Sequence, residues 1–210
     1  MTGVARTAMT DFIYLASQSP RRRQLLEQLG IRHELLLPDA DEDSEALEVA
    51  HPGEAPLRYV QRVTQHKLDA ALQRLKRRGL PPAPVLCSDT TVALGRTIYG
   101  KPRDGRDAAR MLGELAGTTH RVLTAVAVQG GRRRLQALSD SRVTFASLTP
   151  AQVRAYVASG EPDGKAGAYA IQGRAAAFVT RINGSYPGIM GLPLHETALL
   201  LQAFGVQAAG

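Results

Sequence analysis

The chain holds one cysteine, no tryptophan and 5% aromatic residues in 210 positions. A single cysteine, Cys87, excludes an internal disulfide and any metal site built on several thiolates. It adjoins an acidic strand and reads as buried packing rather than as a nucleophile. So few aromatics leave little stacking material for single-stranded nucleic acid. No apolar run approaches the roughly 20 residues needed to span a bilayer. Met1 to Asp11 carries one arginine and no apolar segment, so residues 1–10 read as a flexible leader rather than a secretory signal. A cytoplasmic location is the resulting expectation. HExxH, EF-hand, GxGxxG and Walker A patterns are missing, and the five histidines are scattered.

What is present is an ordinary globular mixture, 44% hydrophobic and 21% charged, sufficient for a buried core. The formal charge is +7. Such a balance suits nucleic acid, an anionic membrane or a polyphosphate substrate. Arg74, Lys76, Arg77 and Arg78 end a helix, where cations complement the macrodipole. Arg132 to Arg134 follow Gly130-Gly131 in a hairpin. Both basic runs read as solvated surface. Residues 39 to 48 include Asp39, Asp41, Glu42, Asp43, Glu45 and Glu48, which is loop composition of one charge sign.

Periodicity predicts a strand over 12–16, then a helix with Ser19 as cap and Pro20 at its first position. A strand over 31–37 and an amphipathic helix over 55–78 follow, the latter on Leu57, Val60, Val63, Leu68, Ala71, Leu72 and Leu75. Further strands are expected over 85–94, 121–129, 132–138, 141–147 and 176–182. Further helices are expected over 104–115, 150–157 and 193–204, the last burying Leu199, Leu200 and Phe204. This mixture predicts an α/β fold with a mixed sheet, in one domain over 11–210.

Four segments carry chemistry. Ser17-Gln-Ser-Pro-Arg-Arg-Arg23 joins a strand to a helix start, where free N–H groups, hydroxyls and arginines suit an anion. Cations in a first helical turn oppose the dipole, and an anionic ligand would relieve that conflict. The plainer reading is a cap with solvated arginines. Ser88-Asp-Thr-Thr91 sets a carboxylate into an apolar strand, which is costly unless it is paired or bound to metal. Asp89 could ligate a divalent cation or take a proton from water, or sit at the strand end in a turn. Lys101, between Gly100 and Pro102, is a point charge on a defined turn or an ordinary surface lysine. Lys165 to Gly173 and Asn183 to Tyr186, with Gly191 to Leu194, are Gly-rich turns. In them Gln172 offers both donor and acceptor to a base edge such as that of uracil or thymine.

Together these segments resemble the Maf family of nucleoside triphosphate pyrophosphatases. The resemblance rests on Leu15-Ala-Ser-Gln-Ser-Pro-Arg-Arg-Arg-Gln-Leu-Leu26, Ser88-Asp-Thr-Thr-Val92, Gly100-Lys-Pro102, Lys165-Ala-Gly-Ala-Tyr-Ala-Ile-Gln-Gly173, Asn183-Gly-Ser-Tyr186 and Gly191-Leu-Pro193. The Gln172 segment is similar to the branch acting on dTTP and UTP, rather than the sister branch acting on 7-methyl-GTP. The resemblance implies a mixed, twisted sheet flanked by helices, with two lobes around a long cleft. It implies hydrolysis between the α- and β-phosphates, a divalent cation (Mg²⁺ or Mn²⁺), and often a homodimer. Asp89 matches the general base. Arg21, Thr90 and Gln172 match specificity positions. Ser17, Arg21, Arg22 and Lys101 match phosphate-binding positions, and Glu42 joins Asp89 as a metal candidate. Ser88 stands where the family usually has Ala, and Pro187-Gly188 lies in a variable stretch, so fine specificity is where this chain departs. The family is also associated with septum inhibition, which implies a rival reading as a nucleotide- or nucleic-acid-binding regulator. The acidic loop and scattered basic runs argue against a nucleic-acid groove.

Overall fold

The computed structural model describes residues 12–40, 42–43 and 46–208. The leader, Asp41 and Glu45 lie outside them. Among the described residues, seven strands form one mixed sheet. Strands β1 (Ile13–Leu15) and β2 (His33–Leu35) are joined by helix α1 (Pro20–Gln28) and pair in parallel. Helix α2 (Pro56–Arg77) leads to the long strand β3 (Val85–Leu94), which lies beside β1. Strand β4 (Thr97–Tyr99) folds back on the end of β3. Helix α3 (Gly105–Leu115) leads to β5 (Thr119–Gly130), which runs antiparallel to β3 on its other edge. Strand β6 (Arg133–Phe145), helix α4 (Pro150–Val157) and edge strand β7 (Val179–Asn183) follow, then helices α5 (Tyr186–Met190) and α6 (Leu194–Gln202).

Several expectations need correction. Residues 133–145 form one strand, not two. Ser139 and Asp140 look like a break but stay in the ladder, opposite Thr124 and Leu123, with Asp140 paired to Arg121. Leu199 is 55% exposed, and Thr197 and Leu201 are the fully buried residues of α6. Residues 174–178 are 3₁₀ rather than strand, so the strand at 176–182 begins later, at Val179. Arg74 is buried, not solvated. It and the exposed Arg77 and Arg78 meet Asp39 and Glu42, so the acidic loop and the basic helix end neutralise each other.

The core explains where a cleft must open. Helix α2 covers one sheet face, packing Leu68 and Ala71 on Cys87 and Ala127, and Val60 and Val63 on Leu123 and Ala125. On the other face, Leu86, Val126 and Val128 receive α1 and α6. Further along the same strands, Val92, Val122 and Val143 receive α3 and α4. Ser88, Thr90 and Thr124 lie between these two apolar clusters, because alternate residues of a strand share a face. That polar band interrupts the packing and separates the two halves.

Candidate active site

The reactive strand is exposed along one edge. Along β3, β1 pairs with Val85 and Leu86, and β4 pairs from Val92 onward. Ser88 to Thr91 therefore face a gap beside the loop that follows β1. A cleft of about 680 Å³ occupies this region, within the range of small-molecule sites. It lies at the carboxyl ends of parallel strands, where open α/β sheets take their ligands. Ser17, Arg21, Arg22, Glu42, Asp89, Thr90, Lys101 and Gln172 all line it.

At the start of α1, Arg21 and Arg22 are held by neutral groups. Arg22 donates from Nε to Gly191 O at 2.8 Å, from Nη1 to Ser17 Oγ at 3.2 Å and from Nη2 to Thr90 Oγ1 at 3.3 Å. Arg21 donates from Nε to Met190 O at 3.4 Å. Neither forms an ion pair among the described residues, and burial pulls both guanidinium pKa values down. Ser19 is the N-cap of α1, but its side chain makes no capping bond. Two partly buried cations with neutral partners, beside an uncapped helix start, favour an anionic ligand.

Asp89 is 7% exposed and lies on the α2 face of β3, opposite to Thr90. Lys67 of α2 donates to Asp89 Oδ1 at 2.6 Å and to Glu48 Oε1 at 2.7 Å. Lys101 stands 3.0 Å from Glu48 Oε2. The result is an alternating chain, Asp89–Lys67–Glu48–Lys101. Burial alone would depress the Lys67 pKa, but the two carboxylates overcome it and raise the value. Burial likewise pushes Glu48 up, and Lys67 and Lys101 bring it below the ordinary carboxylate range.

Glu42 is placed differently from Asp89. Arg74 binds both of its oxygens and Arg77 donates to Oε1 at 2.6 Å. Hydrogen bonding to Arg74 outweighs the effect of burial and holds its pKa at about 2. Arg74 lies seven residues beyond Lys67, or about 10 Å along the helix. The carboxylate that joins Asp89 here is thus Glu48.

Lys67 and Glu48 are the site residues that the sequence reading passed over. A signal existed for Lys67: it interrupts the apolar stripe of α2 between Val63 and Ala71, and Arg74 interrupts it again. A cation on a buried stripe needs a carboxylate partner. For Glu48 nothing distinguishes it from its acidic neighbours.

The donor set fits a divalent cation in one specific sense. Two carboxylates from separate segments, Asp89 and Glu48, are brought together by the Lys67 ammonium, which takes one oxygen of each. Among the described residues no group of three or more His, Cys, Asp or Glu side chains gathers. Mg²⁺ is commonly held by one or two carboxylates, with substrate phosphates and water completing the shell.

Gln172 stands exposed on a turn that contributes to the cleft wall, and its amide has no hydrogen-bond partner among the described residues. Thr90 Oγ1 is engaged by Thr124 at 2.9 Å as well as by Arg22. The Gly-rich segments divide by function. A Cβ on Gly184 would lie 2.8 Å from Ser141 Cα, so this glycine serves strand packing. Gly191 presents its carbonyl to Arg22 and to Ser88.

Fold and cleft together define an α/β protein that offers cationic groups to an anion beside a buried carboxylate. Residues 12–204 match the family described as Maf-like protein, and the chain belongs to the Maf family. A relative from Albidiferax ferrireducens, named dTTP/UTP pyrophosphatase, is 72% identical over 94% of this chain and 98% of its own length. Relatives of the same name from Cupriavidus metallidurans and Burkholderia pseudomallei are 65% and 61% identical, over 94% and 91% of this chain and 99% and 93% of their own lengths.

Proposed function

We propose that this chain is a nucleoside triphosphate pyrophosphatase acting on dTTP and UTP, yielding the monophosphate and pyrophosphate. The observation that carries the reading is one cleft holding two arginines, which have no ion pairs among the described residues, and a buried carboxylate bound to lysine. The name shared by its relatives narrows the substrate to pyrimidine triphosphates.

In this reading the triphosphate lies along the start of α1. Ser17, Arg21 and Arg22 donate to its oxygens, and Lys101 adds a point charge. Asp89 takes a proton from a water as that oxygen bonds to the α-phosphorus. The bond from this phosphorus to the bridging oxygen breaks, and pyrophosphate leaves. Lys67 holds Asp89 in place through its bond to Oδ1. Asp89 and Glu48 would hold a divalent cation (Mg²⁺ or Mn²⁺), with phosphate oxygens and water completing its shell. Such an ion supplies neutralisation of charge on the phosphate oxygens. Gln172 reads the base edge, and Thr90 acts on substrate choice through Arg22. Glu42 holds the rim of the cleft through Arg74.

Among the described residues no helix is long and apolar enough to cross a membrane. We place the enzyme in the cytoplasm, where nucleotides are made, and expect the homodimer that the family resemblance implies. Light scattering tests the latter.

The test of function is pyrophosphate release from dTTP, UTP, CTP, dGTP and 7-methyl-GTP with Mg²⁺ or Mn²⁺. The pyrimidine substrates should lead. Asp89→Asn should lower kcat by about 10²- to 10⁴-fold, the usual contribution of a general base. Unchanged turnover in that variant would remove Asp89 from its role.

A further inference from the structure

The turn carrying Gln172 is tied at both ends by one side-chain circuit. Gly173 N–H bonds to Ala170 O at 3.0 Å, closing a four-residue turn with Ile171 and Gln172 at its centre. Ahead of the turn, Ala170 N–H donates to Tyr156 Oη at 3.3 Å. The Tyr156 hydroxyl donates to Glu161 Oε1 at 2.9 Å. Beyond the turn, Arg174 N–H donates to Glu161 Oε2 at 3.0 Å. One carboxylate thus gathers both flanks of the turn.

The chemistry of the circuit demands an acid. Both the hydroxyl and the amide donate, so the group between them must accept twice, as an ionised carboxylate does. Burial pushes the Glu161 pKa up, but the Arg174 amide and Tyr156 hydroxyl bring it below the ordinary range. Close approach also constrains the backbone: a Cβ on Gly173 would collide with the Glu161 carboxylate. The preceding segment is held under strain. Ala168 sits at φ 61°, a left-handed conformation that an alanine rarely adopts. Such a conformation persists only where the surroundings over-determine it. The Gln172 side chain has no hydrogen-bond partner among the described residues, in contrast with the fixed frame around it.

We infer that Glu161 is a positioning residue for base selection. It does not line the cleft; it sets, through Tyr156 and two backbone amides, where Gln172 stands against the base. The inference rests on the reading of the chain as a pyrimidine triphosphate pyrophosphatase.

The experiment is a double-variant cycle with dTTP and dGTP, using wild type, Glu161→Gln, Gln172→Ala and the double variant. Glu161→Gln keeps the volume and gives up one of two accepting oxygens. It should lower kcat/KM for dTTP about tenfold, chiefly through KM, and leave dGTP nearly unchanged. The double variant should be no worse than Gln172→Ala alone, because the two residues act as one unit. Hydrogen exchange at the amides of Ala170 and Arg174 should quicken in Glu161→Gln, with β3 and β5 unaltered. A loss shared equally by dTTP and dGTP, effects that multiply in the double variant, or unchanged exchange would each overturn the proposal. Tyr156→Phe breaks the same circuit and replaces Glu161→Gln if that variant does not fold. Failure of the wild type to cleave dTTP would sink the substrate reading and base selection with it. The exchange measurement reports on the circuit regardless.

Discussion

At the scale of single residues, the buried charges show what each polar group in the core requires. Arg74 is 4% exposed and its guanidinium is spent on Glu42 and Leu36 O. Arg74→Ala leaves Glu42 without its main partner, and stability should drop by about 3 kcal/mol in urea unfolding. Arg74→Met should lose less of the packing contribution, because its stem fills similar space. His120 offers a cleaner pH signature. It is 1% exposed, with Nε2 2.8 Å from Tyr169 Oη and Nδ1 without a partner among the described residues. Burial pushes its pKa down to about 4. The folded state therefore favours the neutral ring, and the unfolded state takes up the proton first as pH falls. Its contribution is fully present above about pH 6.5 and is lost on descending towards pH 4, on the order of 3 kcal/mol. Urea midpoints compared at pH 7 and pH 4.5 should fall steeply for wild type and less so for His120→Phe.

At the scale of elements, local signals explain most boundaries. Thr149 and Gln152 form a reciprocal capping box on α4, with Pro150 at its first position. Asp104 caps α3 by accepting from Asp107 N–H. The acidic loop and the basic end of α2 were each legible as charge runs, yet their pairing was not. The two segments meet only because α2 packs across the sheet and returns its last turn to the loop. β6 illustrates the opposite error. Ser139-Asp140 carries the composition of a turn, but twelve backbone pairings with β5 outweigh local preference. The glycine of Asn183-Gly-Ser185 belongs to this scale as well. Gly184 combines φ 127° with close approach to Ser141, so Gly184→Ala should cost about 2–4 kcal/mol and lower Tm without altering the cleft residues. Retention of Tm in that variant would show that β6 can shift to make room.

At the scale of the molecule, the polar band of Ser88, Thr90 and Thr124 divides the apolar packing on one sheet face. The short β1 and the late start of β4 leave the edge of β3 open at the same level. The cleft is the joint result. If its cations hold phosphate, a non-hydrolysable dTTP analogue with Mg²⁺ at 100 times its Kd should stabilise the fold by about 2.7 kcal/mol. For a chain of this length that corresponds to a Tm increase of roughly 5–11 °C. Arg21→Ala should lose much of this shift at the same analogue concentration, and an equal shift would take Arg21 off the phosphate. The amino-acid sequence by itself determined the α/β class, the strand holding Asp89, the helix start at Pro20 and the segments that line the cleft. These follow from periodicity, turn chemistry and composition, which are local properties of the chain. Only the tertiary structure decided that Asp89 shares Lys67 with Glu48 and that Arg74 takes Glu42. It alone brought Glu161 to the Gln172 turn from a different segment. The physical reason is that a charge in a loop meets a partner through packing of elements far apart in sequence, and no local pattern specifies which of several equivalent carboxylates arrives.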